Sequence, residues 1–205
     1  MLNIYLVRHA QTEANKQHII QGQTDTAITD NGYIHTKKTA DFFKDKDISA
    51  IYSSPLGRTA QTSEMICDAI GMGKDKIIFL DELMEIDLKP WVNKPISEIS
   101  ADESVYGYYV YRNNPMAFQA SEGENFNDVQ SRAVKAYNHI INSNKNANII
   151  IVSHSVTIRT LLLYLDNKGF DQVWSYSVNP ASVSKITSSN GNSKIEFIGF
   201  CPYEI

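Results

Sequence analysis

The sequence predicts an α/β fold: a three-layer α/β/α sandwich with a mostly parallel central sheet, a C-terminal antiparallel hairpin and an inserted helical lid. Three observations carry this. Short runs of strand formers alternate with helix-like segments along most of the 205 residues, the pattern of a sheet covered by helices. Ile149–Ser153 opens with four consecutive apolar β-branched residues, as expected of a strand buried on both faces. Near the end, the Ser- and Asn-rich stretch Ser188–Ser193 separates two strand-like runs, Ser182–Thr187 and Lys194–Phe200, and reads as a hairpin turn.

The elements follow in order. Leu2–Val7 is a run of strand formers. Thr29 is a candidate N-cap for a helix running towards Lys44. Ser49–Ser53 is a second short strand, and Pro55 suits the first turn of a helix reaching about Ile70. Ile77–Leu80 reads as a third short strand. The stretch from Trp91 to about Glu122 breaks the rhythm. It carries Tyr106, Tyr108, Tyr109 and Tyr111, with Pro95 and Pro115 to either side. We read it as an inserted lid, so residues 1–205 form a single domain. Phe126–Asn142 has the spacing of an amphipathic helix, and Val156–Leu165 is the helix after the apolar strand.

Composition narrows the function. With 42% hydrophobic and 20% charged residues, the chain can bury one sizeable core. A net charge of -4 offers no basic field for a nucleic-acid backbone. Cys67 and Cys201 form no CxxC pattern, which fits a reduced compartment. There is no apolar run of ~20 residues to span a bilayer, and a strand begins almost at the first residue, leaving no room for a signal peptide. A cytoplasmic protein with no membrane or nucleic-acid partner is expected. The five histidines, at 9, 18, 35, 139 and 154, show no metal-binding spacing, so neither a metal nor another cofactor is expected.

Chemistry concentrates at three strand-to-helix junctions. The first is Arg8-His9-Ala10-Gln11-Thr12, with Asn15 further on; the second is Ser53-Ser54-Pro55-Leu56-Gly57-Arg58; the third is Ser153-His154-Ser155, leading to Arg159. In a parallel sheet the C-terminal strand ends share one edge, so two imidazoles and two guanidiniums would converge there. Imidazole is a nucleophile at neutral pH and guanidinium grips phosphate oxygens. Helix N-termini at the same edge would add N–H donors for an anion. Taken singly, His154 also fits a structural histidine and Arg58 a solvated helix residue. Arg159 is expected to pair with a carboxylate one turn away. The tyrosine run fits core packing, or a place for Tyr108 or Tyr111 beside a leaving group.

The string Leu6-Val7-Arg8-His9-Ala10-Gln11-Thr12-Glu13-Ala14-Asn15 resembles the signature of the histidine phosphatase superfamily, which includes phosphoglycerate mutases and broad-specificity phosphatases. The stretch from Gln21-Gly22 through Ile28–Gly32, and Ser53–Thr62, Leu83–Asp87, Gly123-Glu124 with Arg132, and Val152-Ser153-His154, are similar to its later motifs, in family order. The resemblance implies that His9 is the nucleophile and carries a transient phosphoryl group. Arg8, Arg58 and His154 would stabilise the transferring oxygens. Asn15 would add a hydrogen bond, with Gln21 and Gly22 beside the substrate. Glu85 would be the general acid, although the Glu82, Glu85, Asp87 cluster also fits a solvated acidic loop. Neutral His9 must attack, so its other ring nitrogen is expected to donate to a backbone carbonyl.

The sequence departs from the family pattern in three places. Ala10 and Ser155 stand where glycine is common. The Ser155 N–H is expected to face phosphate while its hydroxyl narrows the pocket. After the acid motif the chain reads Leu88-Lys89-Pro90-Trp91-Val92-Asn93, where Lys89 would place a cation near the leaving group. The resemblance implies a metal-independent phosphomonoester hydrolase acting on a small phosphorylated metabolite, with a homodimer as a possible assembly. A mutase returning the phosphoryl group to another hydroxyl, and a weakly catalytic phospho-ligand-binding module, are the alternatives. The physiological substrate is not legible.

Overall fold

A computed structural model of the chain describes residues 1–189 and 191–204. Among these, one six-stranded sheet contains β1 (Leu2–Arg8), β2 (Ile48–Ser53), β3 (Ile77–Phe79), β4 (Asn148–Ser153), β5 (Val183–Ser189) and β6 (Asn192–Phe200), in the order β3-β2-β4-β1-β5-β6. The first four run parallel; β5 is antiparallel to β1, and β6 to β5. The helices are α1 (Glu13–Lys16), α2 (Asp30–Asp41), α3 (Gly57–Ile70), α4 (Ile96–Ile99), α5 (Tyr108–Asn113), α6 (Phe126–Ser143) and α7 (Ser155–Leu165). The fold is the expected α/β sandwich. No helix among the described residues is long and apolar enough to cross a membrane.

Alternation along the strands builds the three layers. Tyr5, Val7, Ile150 and Val152 pack with Phe43 of the α2 region and Ile66 of α3. Ile4, Leu6, Ile149 and Ile151 pack on the opposite face with Ile140 of α6 and Leu162 of α7. Successive strand side chains point to opposite faces, so a strand covered on both sides must be apolar at every position. That accounts for the unbroken run in β4, which lies between β1 and β2.

Register sets the site. Arg8 lies opposite Ser153 across the β1–β4 pair, and Ser53 lies opposite Val152 across β2–β4. The bonds continue one residue past each strand, from the His9 N–H to the Ser153 carbonyl (3.0 Å) and from the Ser54 N–H to the Val152 carbonyl (3.0 Å). The three chain ends that carry the predicted chemistry are therefore level.

Several expected boundaries move, for local reasons. Thr29 caps α2 through its side chain, accepting from the Gly32 N–H. The helix stops at Asp41 rather than Lys44, where Phe42 and Phe43 turn in against Tyr5. Pro55 does not open a helix: Leu56 is extended and α3 begins at Gly57. Its first N–H groups, of Gly57 and Arg58, donate to the Asp25 carboxylate at 2.7 and 3.3 Å. The hairpin strands reach further into the expected turn, of which Asn190 lies outside the described residues. The lid is less helical than expected: between Trp91 and Glu122 it holds α4 and α5 joined by turns. Aromatic contacts organise it, with Trp91 packed on Tyr108, Tyr111 and Phe118.

Ile150 is fully buried in the central strand. Ile150→Ala is expected to cost about 3 kcal/mol and lower Tm by roughly 10 °C. Calorimetry showing less than about 1 kcal/mol would contradict a two-sided core at β4.

Candidate active site

His9 follows directly on β1 and is 2% exposed. Its Nδ1 lies 2.7 Å from the Ala10 carbonyl oxygen. A carbonyl only accepts, so Nδ1 carries the proton and Nε2 keeps its lone pair. Burial, and then the positive charges of Arg58 and Arg8, hold the His9 pKa well below the usual histidine value. The ring is neutral at physiological pH, and its Nε2 lone pair is free. Ala10 is fully buried, and its N–H donates to Thr62 Oγ1 (2.9 Å), which donates onward to the Arg58 carbonyl (2.7 Å). A residue of α3 thus holds the backbone that orients His9.

His154 faces His9 with ring centroids 5.1 Å apart. Its Nε2 lies 2.8 Å from Ser54 Oγ, which also accepts from the Leu56 N–H (3.3 Å). Among the described residues Ser54 Oγ has no other acceptor, so its proton goes to Nε2 and the imidazole proton sits on Nδ1. Burial foremost, then Arg58, holds His154 neutral as well.

Arg58 is 1% exposed. Its guanidinium donates to the Thr24 carbonyl (2.6 Å), the Gly22 carbonyl (2.8 Å) and Asp25 (2.9 Å). Arg8 donates from Nη1 to the Val178 carbonyl (2.8 Å). Burial, then repulsion from Arg159, lowers its pKa to about 10, which leaves it charged at neutral pH. Among the described residues, three buried nitrogens here have no partner: Arg8 Nε, Arg58 Nε and His154 Nδ1. All three belong to residues packed about His9, and none of the three atoms has surface open to the cavity.

Glu85 supplies the opposing charge. Its Oε1 accepts from the N–H groups of Ile86 (3.0 Å), Val156 (3.2 Å) and Thr157 (3.3 Å). Oε2 has one long contact, to the Val156 N–H at 3.3 Å, and is the oxygen available for proton transfer. Arg132 holds this segment from behind. It donates to the Glu82, Met84 and Glu85 carbonyls at 2.9, 2.5 and 3.0 Å and pairs with Glu124 at 2.7 Å. Gly123 lets Glu124 reach: it sits at φ +88°, and a Cβ there would lie 2.2 Å from the Asp87 carbonyl oxygen.

A cavity of about 380 Å³ is lined by Arg8, His9, Arg58 and Glu85; His154, fully buried behind His9, is not part of its lining. Asn15, Gln21, Gly22 and Ser155 also line it. Asn15 Oδ1 accepts from the Thr12 N–H, leaving its amide nitrogen as donor. Gln21 accepts from Thr26, and the Gly22 carbonyl is spent on Arg58.

Three expectations need correction. The N-terminus of α3 is closed to an anion, because Asp25 takes the Gly57 and Arg58 N–H groups, and at α7 Glu85 takes those of Val156 and Thr157. Ser155 lines the cavity, and its hydroxyl accepts from Arg159. Among the described residues Arg159 pairs with no carboxylate; it donates to the Tyr176 carbonyl at 3.1 Å and to the Ser155 carbonyl at 3.2 Å. Lys89 stays at the surface, 3.6 Å from Asp87. Tyr108 and Tyr111 do both things weighed for them, packing in the core and lining the cavity. Sequence reasoning did not find Asp25, the Ser54 contact or the work of Arg132. Each lies inside a segment matched to the family, but only the three-dimensional partners reveal the role.

Arg132→Met is expected to destabilise the protein by about 2–4 kcal/mol, since it strands Glu124 and several carbonyls. Urea denaturation with a loss below about 1 kcal/mol would show that the clip is not needed. The histidines give a pH test. Their folded pKa values lie below the unfolded value, so the unfolded state binds protons first as pH falls. Stability should be full above about pH 6.5 and decline below it, by up to about 1.4 kcal/mol per pH unit for each ring. A His9→Asn, His154→Asn double variant should lose that slope in phosphate-free buffer; retention of the full slope would place its origin elsewhere.

A family model described as Histidine phosphatase superfamily (branch 1) matches residues 4–200. A protein of Hydrogenobacter thermophilus named "Putative phosphoserine phosphatase 2" is 26% identical over 199 residues, 97% of this chain and 95% of its own length. "Probable phosphoglycerate mutase GpmB" of Proteus mirabilis is 30% identical over 162 residues, 79% of this chain and 74% of its own. The solved structure of Bacillus stearothermophilus YhfR superposes with a TM-score of 0.90 at 26% identity, covering 98% of each chain. With the motif order, the sheet and a family match over nearly its whole length in agreement, the chain belongs to the histidine phosphatase superfamily.

Proposed function

We propose that the chain is a phosphomonoester hydrolase that works through a phosphohistidine at His9 on a small phosphorylated metabolite. The observation that carries this reading is a neutral imidazole with a free Nε2 lone pair in a cavity lined also by two guanidiniums and a carboxyl group. A phosphoryl group offers the electrophile to the first and its charged oxygens to the guanidiniums.

In the proposed first step, His9 Nε2 attacks phosphorus and the bond to the leaving oxygen breaks. Glu85 takes up a proton on Oε2 as substrate binds and passes it to that oxygen, and the alcohol departs. Arg8, Arg58 and the His154 Nδ1–H stabilise the equatorial oxygens, which carry the charge as the phosphoryl group passes. In the second step water attacks phosphorus and Glu85 takes a proton from it. The N–P bond breaks, returning neutral His9 with its proton still on Nδ1, held there by the Ala10 carbonyl. Atoms and protons balance over the cycle, and no step requires a metal.

The 30% identity to a relative named as a mutase favours a second reading, in which the phosphoryl group returns to another hydroxyl of the substrate. One experiment separates the readings. Incubation with a labelled phosphomonoester in the presence of chelator should give inorganic phosphate and an acid-labile, alkali-stable phosphoenzyme. Both should vanish in His9→Ala, and His154→Ala should slow turnover about a hundred- to a thousandfold. Product isomerisation dependent on a bisphosphorylated primer would select the mutase. Tight binding of phosphate compounds without turnover would leave only a binding module. Full activity in His9→Ala, or its abolition by chelator, would reject the mechanism.

A further inference from the structure

Past the Val7–Val183 pair the β1–β5 ladder changes its pattern. The Arg8 N–H still reaches the Ser182 carbonyl (3.1 Å), but the return bond comes from Ala181, whose N–H lies 3.1 Å from both the Arg8 and the His9 carbonyl oxygens. Two residues thus oppose one, which is a β-bulge, a device found beside active sites. Ser182 turns its own N–H back to the Asn179 carbonyl (3.0 Å), closing a turn with Pro180 second and Ala181 third. A turn with a left-handed third residue normally takes glycine there. Ala181 sits at φ +58° and is fully buried. The other non-glycine residues at positive φ among the described residues are His18, Asn93, Asn146 and Asn167, types that tolerate it. Alanine has no polar side chain to compensate, so the surroundings must impose the conformation.

Those surroundings are specific, because the two peptide units flanking Ala181 are each held at both ends. In the first, the Pro180 carbonyl accepts from the Tyr203 hydroxyl (2.9 Å) and the Ala181 N–H rests on the β1 carbonyls. In the second, the Ala181 carbonyl accepts from Thr39 Oγ1 of α2 (2.7 Å) and the Ser182 N–H closes the turn. Tyr203 is fixed in turn, its ring stacked on His35 with centroids 4.0 Å apart and planes 1° apart. The Val178 carbonyl, one residue before the turn, holds Arg8 Nη1 (2.8 Å). Arg8, His9 and Pro180 line the cavity, and Thr39, Ala181 and Tyr203 stand outside its lining.

Resting on the phosphatase reading above, we propose that the Tyr203 hydroxyl is a latch on this turn and a positioning residue for the reaction, keeping the Pro180–Ala181 peptide in the orientation that holds the Arg8 and His9 backbone for attack. Rotation of that one peptide unit converts the turn into its counterpart with a right-handed third residue, the conformation alanine prefers. The rotation would swing the Ala181 N–H off the Arg8 and His9 carbonyls and free the end of β1 beside the nucleophile. Tyr203 acts through the backbone and touches no substrate. A shift of about 1 Å in a reacting group is enough to slow a reaction by up to a hundredfold, so even a partly populated rotation is visible in the rate.

The test is Tyr203→Phe, which keeps the ring and removes the hydroxyl. Its kcat/KM for 4-nitrophenyl phosphate should fall about tenfold, the size of one lost hydrogen bond. Adding Ala181→Gly to that variant should recover most of the loss, because glycine takes the left-handed conformation without the latch. Thr39→Val frees the second peptide and should show the same loss and the same recovery; it serves if Tyr203→Phe does not fold. Amide hydrogen exchange reads the latch without turnover. In Tyr203→Phe the Ala181 amide should exchange about tenfold faster, while that of Ile150 in the central strand exchanges as in the wild type. Either quantity staying within about twofold of wild type overturns the proposal, because one hydrogen bond is worth more than that. So does a loss that Ala181→Gly fails to recover, or equal acceleration at Ile150, since each would reduce Tyr203 to packing or global stability. Should the wild type hydrolyse no phosphomonoester, the phosphatase reading fails, while the exchange rates still decide the latch.

Discussion

The parallel register of β2, β4 and β1 is the constraint from which the site follows. These strands end level, and backbone hydrogen bonds from the His9 and Ser54 N–H groups to β4 tie the β1 and β2 junctions to the strand that leads into His154. Two imidazoles from opposite ends of the chain thereby lie about a ring's width apart. Parallel pairing of adjacent, fully buried strands leaves little freedom to slip, since a shift of one residue would turn every apolar side chain to the other face. The packing that stabilises the sheet also sets the distance between the reacting groups.

Convergence has an electrostatic cost. Arg8 and Arg58 are buried beside two histidines, and burying a charge is unfavourable unless partners compensate. The protein offsets this unevenly. Carbonyls of Gly22, Thr24 and Val178 take the outer N–H groups, and Asp25 and Glu85 supply counter-charge. The inner Nε atoms and His154 Nδ1 are left without partners. Cationic groups held in place by those carbonyls and carboxylates need little reorganisation when charge develops on a bound oxyanion. Asp25 takes the first N–H groups of α3 and Glu85 those of Val156 and Thr157 in α7, so the positive charge lining the cavity comes chiefly from the Arg8 and Arg58 side chains.

Much of this was legible because strand ends and polar residues are local features. Arg8-His9 after a run of strand formers, and His154 after Ile149–Val152, mark the site without any knowledge of partners. The apolar run also announces its own two-sided burial. What was not legible depends on distant pairings. Pro55 is a good first-turn residue, but Asp25, thirty residues earlier, caps the helix at Gly57. Arg159 has the spacing to find a carboxylate on its own helix, yet a carbonyl from the following loop and the Ser155 hydroxyl meet it first. Lys89 sits close in sequence to the acid, but Asp87 holds it at the surface. Local propensity describes what a residue offers; the competition for it is settled by segments far away in sequence.

The lid shows how the same residues serve folding and shape the cavity. Tyr111 stacks on Phe126 of α6, meets Trp91 and Trp174 edge-on, and lines the cavity. Between Trp91 and Glu122 the described residues form two short helices joined by hydrogen-bonded turns, such as Gly107 N–H to the Ser104 carbonyl. Side-chain burial adds to these local bonds, and large aromatic rings supply much apolar area per ordered residue. A wall built this way is stiff where rings interlock and changeable at its exposed rim, where Arg112 rests on Trp174. Substitutions at Trp91 or Tyr111 would therefore loosen the core and the cavity together, because both rings interlock with their neighbours and Tyr111 also lines the cavity.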